Sequence, residues 1–516
     1  MDSALPPPPG DPPPPDSADE CIPPKKRGTW HSDQQPVTFI PPKKRRIWRN
    51  VQHPEVSNID WISAMPDDIL VKILSLVTIR EAAMTDCLSS RWRHLWENIH
   101  QLSLKARAFG MQVLPNSNYL ENPDLWNSEA TKFVHKVNEL LRHHNGSGVQ
   151  EFKVQFPLTS AHAPDINRWV VFAVTSGAKS LKLLLSLCDV HGMVAIQHVE
   201  PYSFPLKHFT DVVGCKLHRL HLSNCSIETV HANLSGFSYL YCLKLDSVAV
   251  VDAVVLNIMS SCSALRLMGL RKCHQLINLR ASHPQLLCME VYDCKSLISI
   301  SIHAEKLVDF SYKGHKVDVQ YEYAPVVHSL SAHFVKKNEC PLECIGAHFK
   351  LRSLTLQFPS RLQVPCVLQK GERFAGLKEI VLCLLTSWKE RIHSVAYLLK
   401  AAPVVETFKL EVYGNLQPVS KLKVKWPKNC ILRVLHTVKL GGFSGEAELL
   451  RLLFFLLRRS PMLKDLLIDP HPCHYVGFGR WKREKSEDAM RCYYARGVAL
   501  KHLPPKIPST VKLSVM

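Results

Sequence analysis

Cys215, His218 and His221 stand three residues apart, residue types and a spacing that could gather a zinc ion. Their setting argues otherwise. His221 lies between Leu220 and Leu222 in an alternating pattern, so its ring points to the face opposite those leucines, away from the loop of Cys215. Cys340 and Cys344 make a second close pair, but no further Cys or His pair completes a structural zinc set. Phosphate-cradling loops of the Gly-x-x-x-x-Gly-Lys or Gly-x-Gly-x-x-Gly kind are absent, as is the Gly-x-Ser-x-Gly turn that presents a nucleophilic serine. A nucleophilic cysteine needs an activating neighbour, which one sequence does not display. The expectation is a non-catalytic chain with no catalytic residue, no metal ligand and no cofactor.

The elements around these residues follow from composition and pattern. The chain has 516 residues, 46% of them hydrophobic and 21% charged, enough core-forming residues for about two to four packed units. No run of apolar residues is long enough to span a membrane: Leu449–Leu457 is cut by Arg451 and closed by Arg458 and Arg459. The N-terminus has no apolar core of the secretory kind. Seventeen cysteines, an odd number without framework spacing, read as reduced thiols of cytosol or nucleus.

The net charge of +19 is concentrated. Residues 21–50 carry eight basic residues against one acid, Asp33, and a smaller cluster sits at Arg480, Lys482, Arg483 and Lys485. Fourteen of the 35 prolines fall in the first 54 residues. Proline removes backbone donors and fixes φ, so residues 1–55 are expected to be a disordered, Pro-rich basic tail. Within it Pro-Pro-Lys-Lys-Arg occurs twice, giving a nuclear-import signal from Lys25, Lys26, Arg27, Lys43, Lys44, Arg45 and Arg46. The expected compartment is the nucleus, with the cytoplasm as a second location.

Residues 60–100 predict a small helical module. Pro66 with Asp67 and Asp68 opens one helix, and Thr78-Ile79-Arg80-Glu81 has the spacing of a capping box for a second. Ser89 or Ser90 could cap a third helix carrying Trp92, Leu95 and Trp96. So small a module cannot bury all these apolar residues by itself, which implies a partner. The stretch from Ile62-Ser63-Ala64-Met65-Pro66-Asp67-Asp68-Ile69-Leu70 to Ser90-Arg91-Trp92-Arg93-His94-Leu95-Trp96 resembles a plant F-box. Met65 stands where that family usually has Leu, and Val77-Thr78 where Leu-Pro is common. The resemblance implies docking onto a Skp-type adaptor, and through it a cullin, by Met65, Pro66, Ile69, Leu70, Ile73, Leu88, Trp92 and Trp96.

Beyond a linker at 101–148, with a bridging helix that shares Phe133, Val137, Leu140 and Leu141 on one face, an apolar-x-x-apolar-x-apolar template recurs. Copies begin at Val149, Ala178, Leu217, Leu240, Leu265, Leu286, Leu307, Val327 and Leu351. From 217 onward the spacing is 20–25 residues, the range in which each leucine-rich repeat supplies one strand. Cys225, Cys273 and Cys294 fill the Asn/Cys slot of such repeats. Residues 371–470 hold longer units starting at Leu377, Val405, Leu435 and Leu463, and an offset of 58 superimposes one pair on the next. Leu435–Ile468 resembles the FBD segment that ends many plant F-box repeat proteins, although Arg458-Arg459-Ser460-Pro461 replaces the usual Asn-Ala-Pro ending. Residues 471–516 are expected to be a basic C-terminal tail.

The fold expected is α+β: a three-helix F-box, then an α/β leucine-rich-repeat solenoid of residues 149–370 with its FBD-like extension. Residues alternating with the inward apolar positions form a ladder, and Arg219, His221, Lys244, Asp246, Arg271, Glu290, Tyr292 and Lys313 are its candidate target-binding residues. Mixed signs on this ladder argue against nucleic acid. The function expected is the substrate-recognition adaptor of a cullin-based ubiquitin ligase, capturing a target protein. The alternative is a nuclear repeat scaffold, or a basic nucleic-acid-associated protein, that meets no ligase.

Overall fold

The computed structural model describes residues 61–62, 64–111, 123–146, 148–189, 192–194, 200–210, 215–228, 234–334, 351–358, 374–384, 392–413, 426–427, 429–477, 480–483 and 489–516. The Pro-rich head with its two Pro-Pro-Lys-Lys-Arg runs, and the Cys340/Cys344 pair, lie outside the described residues. So does Lys485.

Apolar residues two apart on short runs should make strands whose alternate side chains share a face. Fifteen such strands form one sheet in chain order, every neighbouring pair parallel. They are β1 Gln101–Lys105, β2 Glu151–Gln155, β3 Ser180–Leu184, β4 Arg219–Ser223, β5 Cys242–Asp246, β6 Leu267–Arg271, β7 Cys288–Tyr292 and β8 Asp309–Gly314. The sheet continues through β9 Ser329–Phe334, β10 Ser353–Phe358, β11 Glu379–Leu384, β12 Thr407–Val412, β13 Thr437–Gly441, β14 Asp465–Asp469 and β15 Lys512–Val515. Leu102, Phe152, Leu181, Leu220 and Leu243 line up in one inward row, and Leu104, Val154, Leu183, Leu222 and Leu245 in the next; all are buried.

Repeat length decides what fills the opposite side. From β6 to β9 the strands recur every 20–21 residues, and the return path is a second parallel sheet of Asn278–Ser282, Ser299–His303 and Asp318–Tyr323. A five-residue strand covers about the distance of a ten-residue helix, since the rises are roughly 3.3 and 1.5 Å per residue. Among the described residues, four of the longer repeats return by helices: α4 Ala163–Thr175, α5 Asp252–Ser261, α6 His393–Lys400 and α7 Ala447–Arg459. Preceding them are α1 Asp67–Leu74, α2 Ile79–Met84 and α3 Pro123–His143, and α8 Ala489–His502 follows.

Each of four successive strands, β4 to β7, ends on a left-handed residue: Asn224, Ser247, Lys272 and Asp293, with φ of 57°, 54°, 51° and 55°. Their N–H groups donate to a carbonyl at the end of the following strand, as in Lys272 to Tyr292 at 2.8 Å. The chain thereby turns into the slot residue, and Cys225, Cys273 and Cys294 are buried there. Cys273 Sγ donates to the Leu245 and Arg271 carbonyls at 3.7 and 3.4 Å, so these thiols satisfy backbone acceptors of the turn.

Three expectations are corrected. Residues 88–94 form turns and only Leu95–Asn98 closes into a 3₁₀ turn, so the third helix of the module is absent. His94 is left-handed (φ 69°), and the Asp86 carboxylate accepts from His94 N and Trp96 Nε1, both at 3.2 Å, which folds this stretch back. The linker holds β1, the first strand of the sheet, paired with β2. The C-terminal tail is structured: α8 docks, and β15 pairs with β14 to end the sheet.

The bridging helix is present as α3, with Phe133 and Val137 inaccessible. Trp169 Nε1 on α4 donates to Asn138 Oδ1 at 2.8 Å, and Phe133 stacks on Phe156 at 4.5 Å between ring centres. His144 Nδ1 accepts from Gly146 N at 2.9 Å, which leaves Nε2–H to donate to the Ile99 carbonyl at 3.0 Å. Burial pushes the His144 pKa down, so the ring stays neutral and the joint between module and sheet is kept. One continuous core results, from Leu70 to Val511.

Candidate functional site: an apolar helix face and a polar ladder

Helix α1 has apolar residues on more of its surface than one side of a core can use. Leu70, Val71 and Leu74 point inward and are buried. Ile69 and Ile73, one turn apart, face outward with 37% and 40% of their surface exposed. The turn that follows adds Leu76 at 84% and Val77 at 47%, and Leu88 stands nearby in sequence at 62%. Lone exposed apolar residues are ordinary; a stripe of this size marks a contact surface.

The scaffold under the stripe is well fastened. Thr78 caps α2: its Oγ1 accepts from Glu81 N at 3.3 Å, and Glu81 Oε2 accepts from Thr78 N at 2.8 Å. Those bonds to Thr78 lower the Glu81 pKa. Arg91 reaches back across the module to Asp67 at 2.8 Å and to the Met65 carbonyl.

Of the eight residues expected to face an adaptor, Pro66, Ile69, Ile73 and Leu88 are exposed and Met65 is half-buried. Leu70, Trp92 and Trp96 are not available: they are 0%, 8% and 9% exposed, inside the chain's own core. Part of the surplus apolar surface predicted for the module is taken up by the chain itself: α1 packs on the Leu95–Asn98 turn, α2 on β1, and Trp96 lines a hollow with Leu140 of α3. Sequence reasoning missed Leu76 and Val77, although two apolar residues in a turn just before a helix cap were the available signal.

The second feature is the ladder. Lys153, Lys182, His221 and Lys244 occupy the same outward position on β2 to β5. Burial, then the neighbouring Lys244 and Lys182 charges, push the His221 pKa down to about 4. Further along, Asp246, Arg271, Tyr292 and Lys313 share another row. Arg271 sits 5.6 Å from the Tyr292 ring centre and 4.0 Å from Asp246. Glu290 and Tyr292 are buried, whereas Arg219 and Arg271 are exposed. All eight candidate target-binding residues thus lie on one sheet face. Cys215 is buried, His218 packs beside Tyr239 and Tyr241, and His221 stands on the ladder, so this trio does not converge. Among the described residues no cluster of three or more His, Cys, Asp or Glu could hold a metal, and no helix is long and apolar enough to cross a membrane.

Late in the ladder, Glu411 is buried against Gly441 and accepts from Cys473 N at 2.8 Å. Burial outweighs that hydrogen bond and raises its pKa to about 7. A carboxyl that binds its proton more tightly when folded stabilises the fold at low pH and loses that contribution as pH rises from about 4.5 to about 7. Glu411→Gln should therefore gain stability relative to the parent as pH goes from 5 to 8, by about 2–3 kcal/mol. Denaturant titrations at the two pH values check this; an equal gap at both would refute it.

Comparison with known proteins places this architecture. The family model described as At1g61320/AtMIF1, LRR domain, matches residues 140–516, which is most of the chain. The chain belongs to that leucine-rich-repeat family. The matched residues take in the sheet from β2 to β15. An F-box/FBD/LRR-repeat protein of Arabidopsis thaliana, At1g13570, is 28% identical over 44% of this chain and 48% of its own length. An FBD-associated F-box protein of the same plant, At5g56370, is 23% identical over 81% of this chain and 92% of its own. A third, the F-box/FBD/LRR-repeat protein At5g56420, is 23% identical over 81% and 93%. Of At1g13570 and of another relative from that plant, the putative F-box/LRR-repeat protein At3g58880, the chain spans only about half the length. These findings identify a plant F-box/LRR protein with FBD-like features.

Proposed function

We propose that this chain is the substrate-recognition adaptor of a cullin-based ubiquitin ligase: the exposed stripe of α1 docks a Skp-type adaptor, and the ladder holds a target protein. The carrying observation is the pairing of an unsatisfied apolar face, Ile69, Ile73 and Leu76, with a rigid joint to the repeat sheet. A shared core fixes the distance between the two surfaces. Tethering then raises the local concentration of a target's lysines near a charged enzyme without chemistry by this chain. The names of the F-box relatives support the reading at family level. The basic runs at Lys25–Arg27 and Lys43–Arg46 support nuclear delivery as part of the same proposal.

The test is Ile73→Asp with Leu76→Asp. Leu76 stands largely in water and Ile73 is 40% exposed at the surface, so the fold should hold, while docking loses about 2–4 kcal/mol of apolar burial at roughly 25 cal/mol per Å². Calorimetry with a plant Skp-type adaptor should show affinity falling by about 30-fold or more. Undiminished binding by the folded double variant would sink the proposal.

A further inference from the structure

The C-terminal end of the sheet brings together three groups that the adaptor reading does not use. Asp469 is the last residue of β14, and His471 follows it in the loop. The Asp469 Oδ1 oxygen accepts from His471 N at 2.9 Å and lies 3.1 Å from His471 Nδ1. On the other side of the ring, His471 Nε2 lies 3.6 Å from Cys492 Sγ, hydrogen-bonding distance for sulfur. Cys492 is carried by α8, which Ala495 and Ala499 allow close against the sheet and which Arg491 ties to Ser444 Oγ at 2.8 Å. Arg483 completes the surroundings: it donates to Asp469 Oδ1 at 2.7 Å, and its Nη2 lies 3.0 Å from His471 Nδ1.

This setting differs from that of the other thiols. Cys87, Cys273, Cys294 and Cys430 donate to backbone carbonyls, and burial pushes Cys225 and Cys262 up to about 12. Cys492 is only half-buried and faces an imidazole that a carboxylate orients. Nucleophile, base and orienting acid in that sequence is the arrangement that activates a thiol. In the tautomer that the proposal uses, Arg483 Nη2 and His471 Nδ1–H both donate to Asp469 Oδ1, which leaves Nε2 as the acceptor for the thiol proton.

We propose that Cys492, His471 and Asp469 form a nucleophilic thiol site that adds to α,β-unsaturated carbonyl compounds. His471 Nε2 takes the thiol proton. The sulfur pair forms a C–S bond to the β-carbon, the C=C π pair shifts so that the carbonyl oxygen carries the enolate charge, and the imidazolium returns the proton to the α-carbon. Every atom of both reactants is retained, and neither oxidant nor reductant is needed. A conjugated carbonyl is the electrophile whose demands, a soft nucleophile and one proton, the three residues meet.

The test treats the full chain with limiting N-ethylmaleimide at pH 6.5 and follows each cysteine by peptide mass mapping. Cys87, exposed and without an imidazole, is the internal reference. Cys492 should be labelled on the order of tenfold faster than Cys87, despite its lower exposure, and His471→Gln should abolish that preference. Cys492 reacting no faster than Cys87 in the parent protein overturns the proposal. So does a preference that survives in His471→Gln. The parent ratio stands by itself if that variant fails to fold.

Discussion

Leu70→Ala combined with Trp96→Ala should unfold the N-terminal end of the protein rather than merely detach it from an adaptor. Leu70 is inaccessible and Trp96 is 9% exposed. Truncating buried Leu costs about 2–5 kcal/mol and Trp about 3–5 kcal/mol. Loss of the Trp96 indole also leaves the buried-side oxygen of Asp86 without its 3.2 Å partner. Neighbouring sites do not add strictly, but the combined loss is a large part of the roughly 5–15 kcal/mol that holds a typical domain. In a repeat array each unit contacts mainly its neighbours, so damage at one end frays that end first. Hydrogen exchange should show loss of protection in α1, α2 and β1 while β6 to β9 keep theirs. Protection retained in β1 would show that the module and the sheet do not share a core. The contrast with Ile73→Asp and Leu76→Asp is the decisive part: those changes should remove adaptor binding with protection intact.

That contrast also marks how far the sequence carries. The inward positions of the sheet are legible because burial on one face imposes a period of two, and Leu220, Leu222, Leu265 and Leu286 all fall where the template puts them. The capping box at Thr78 is legible because its chemistry is local. Which apolar residues of α1 serve the core and which face outward is not local. It depends on the Leu95–Asn98 turn coming back along the chain to pack on the helix, so Leu70 looks the same as Ile69 and Ile73 in the sequence. The missing third helix has the same cause: the Asp86 carboxylate captures two donors from the following turn, a tertiary choice that overrides the helical spacing of Trp92, Leu95 and Trp96.

Sequence similarly hides the thiol site. Asp469 and His471 lie 21 or more residues from Cys492 in the chain, and only the placement of α8 at the end of the sheet makes them a set. The ladder is intermediate between these cases. Alternation places Arg219 through Lys313 on one face, but parallel register decides that Asp246, Arg271, Tyr292 and Lys313 lie side by side. Burial of Glu290 within that face, in turn, follows from packing between neighbouring repeats and from no feature of its own strand.

The second large effect is expected at Gly442, just past β13. Its φ is +76°, and a methyl group built there would overlap the backbone carbonyl oxygen of Val412, the last residue of β12, and press on Pro472. Gly442→Ala therefore meets two penalties. A left-handed conformation costs a non-glycine residue about 1–2 kcal/mol. Overlap with a backbone atom in a paired strand cannot be relieved by a rotamer change, and overpacking of this kind costs about 1–3 kcal/mol. Together the loss should be about 2–5 kcal/mol, read by denaturant titration. Gly177→Ala is the matching control. Its φ is +69°, yet nothing lies within 4 Å of an added methyl group, so only the conformational penalty applies. Because Gly442 sits between the turn to α7 and the loop that carries His471, strain there should also misplace the imidazole. The N-ethylmaleimide preference of Cys492 should fall in Gly442→Ala and persist in Gly177→Ala, which separates a local effect on the thiol site from a general loss of stability.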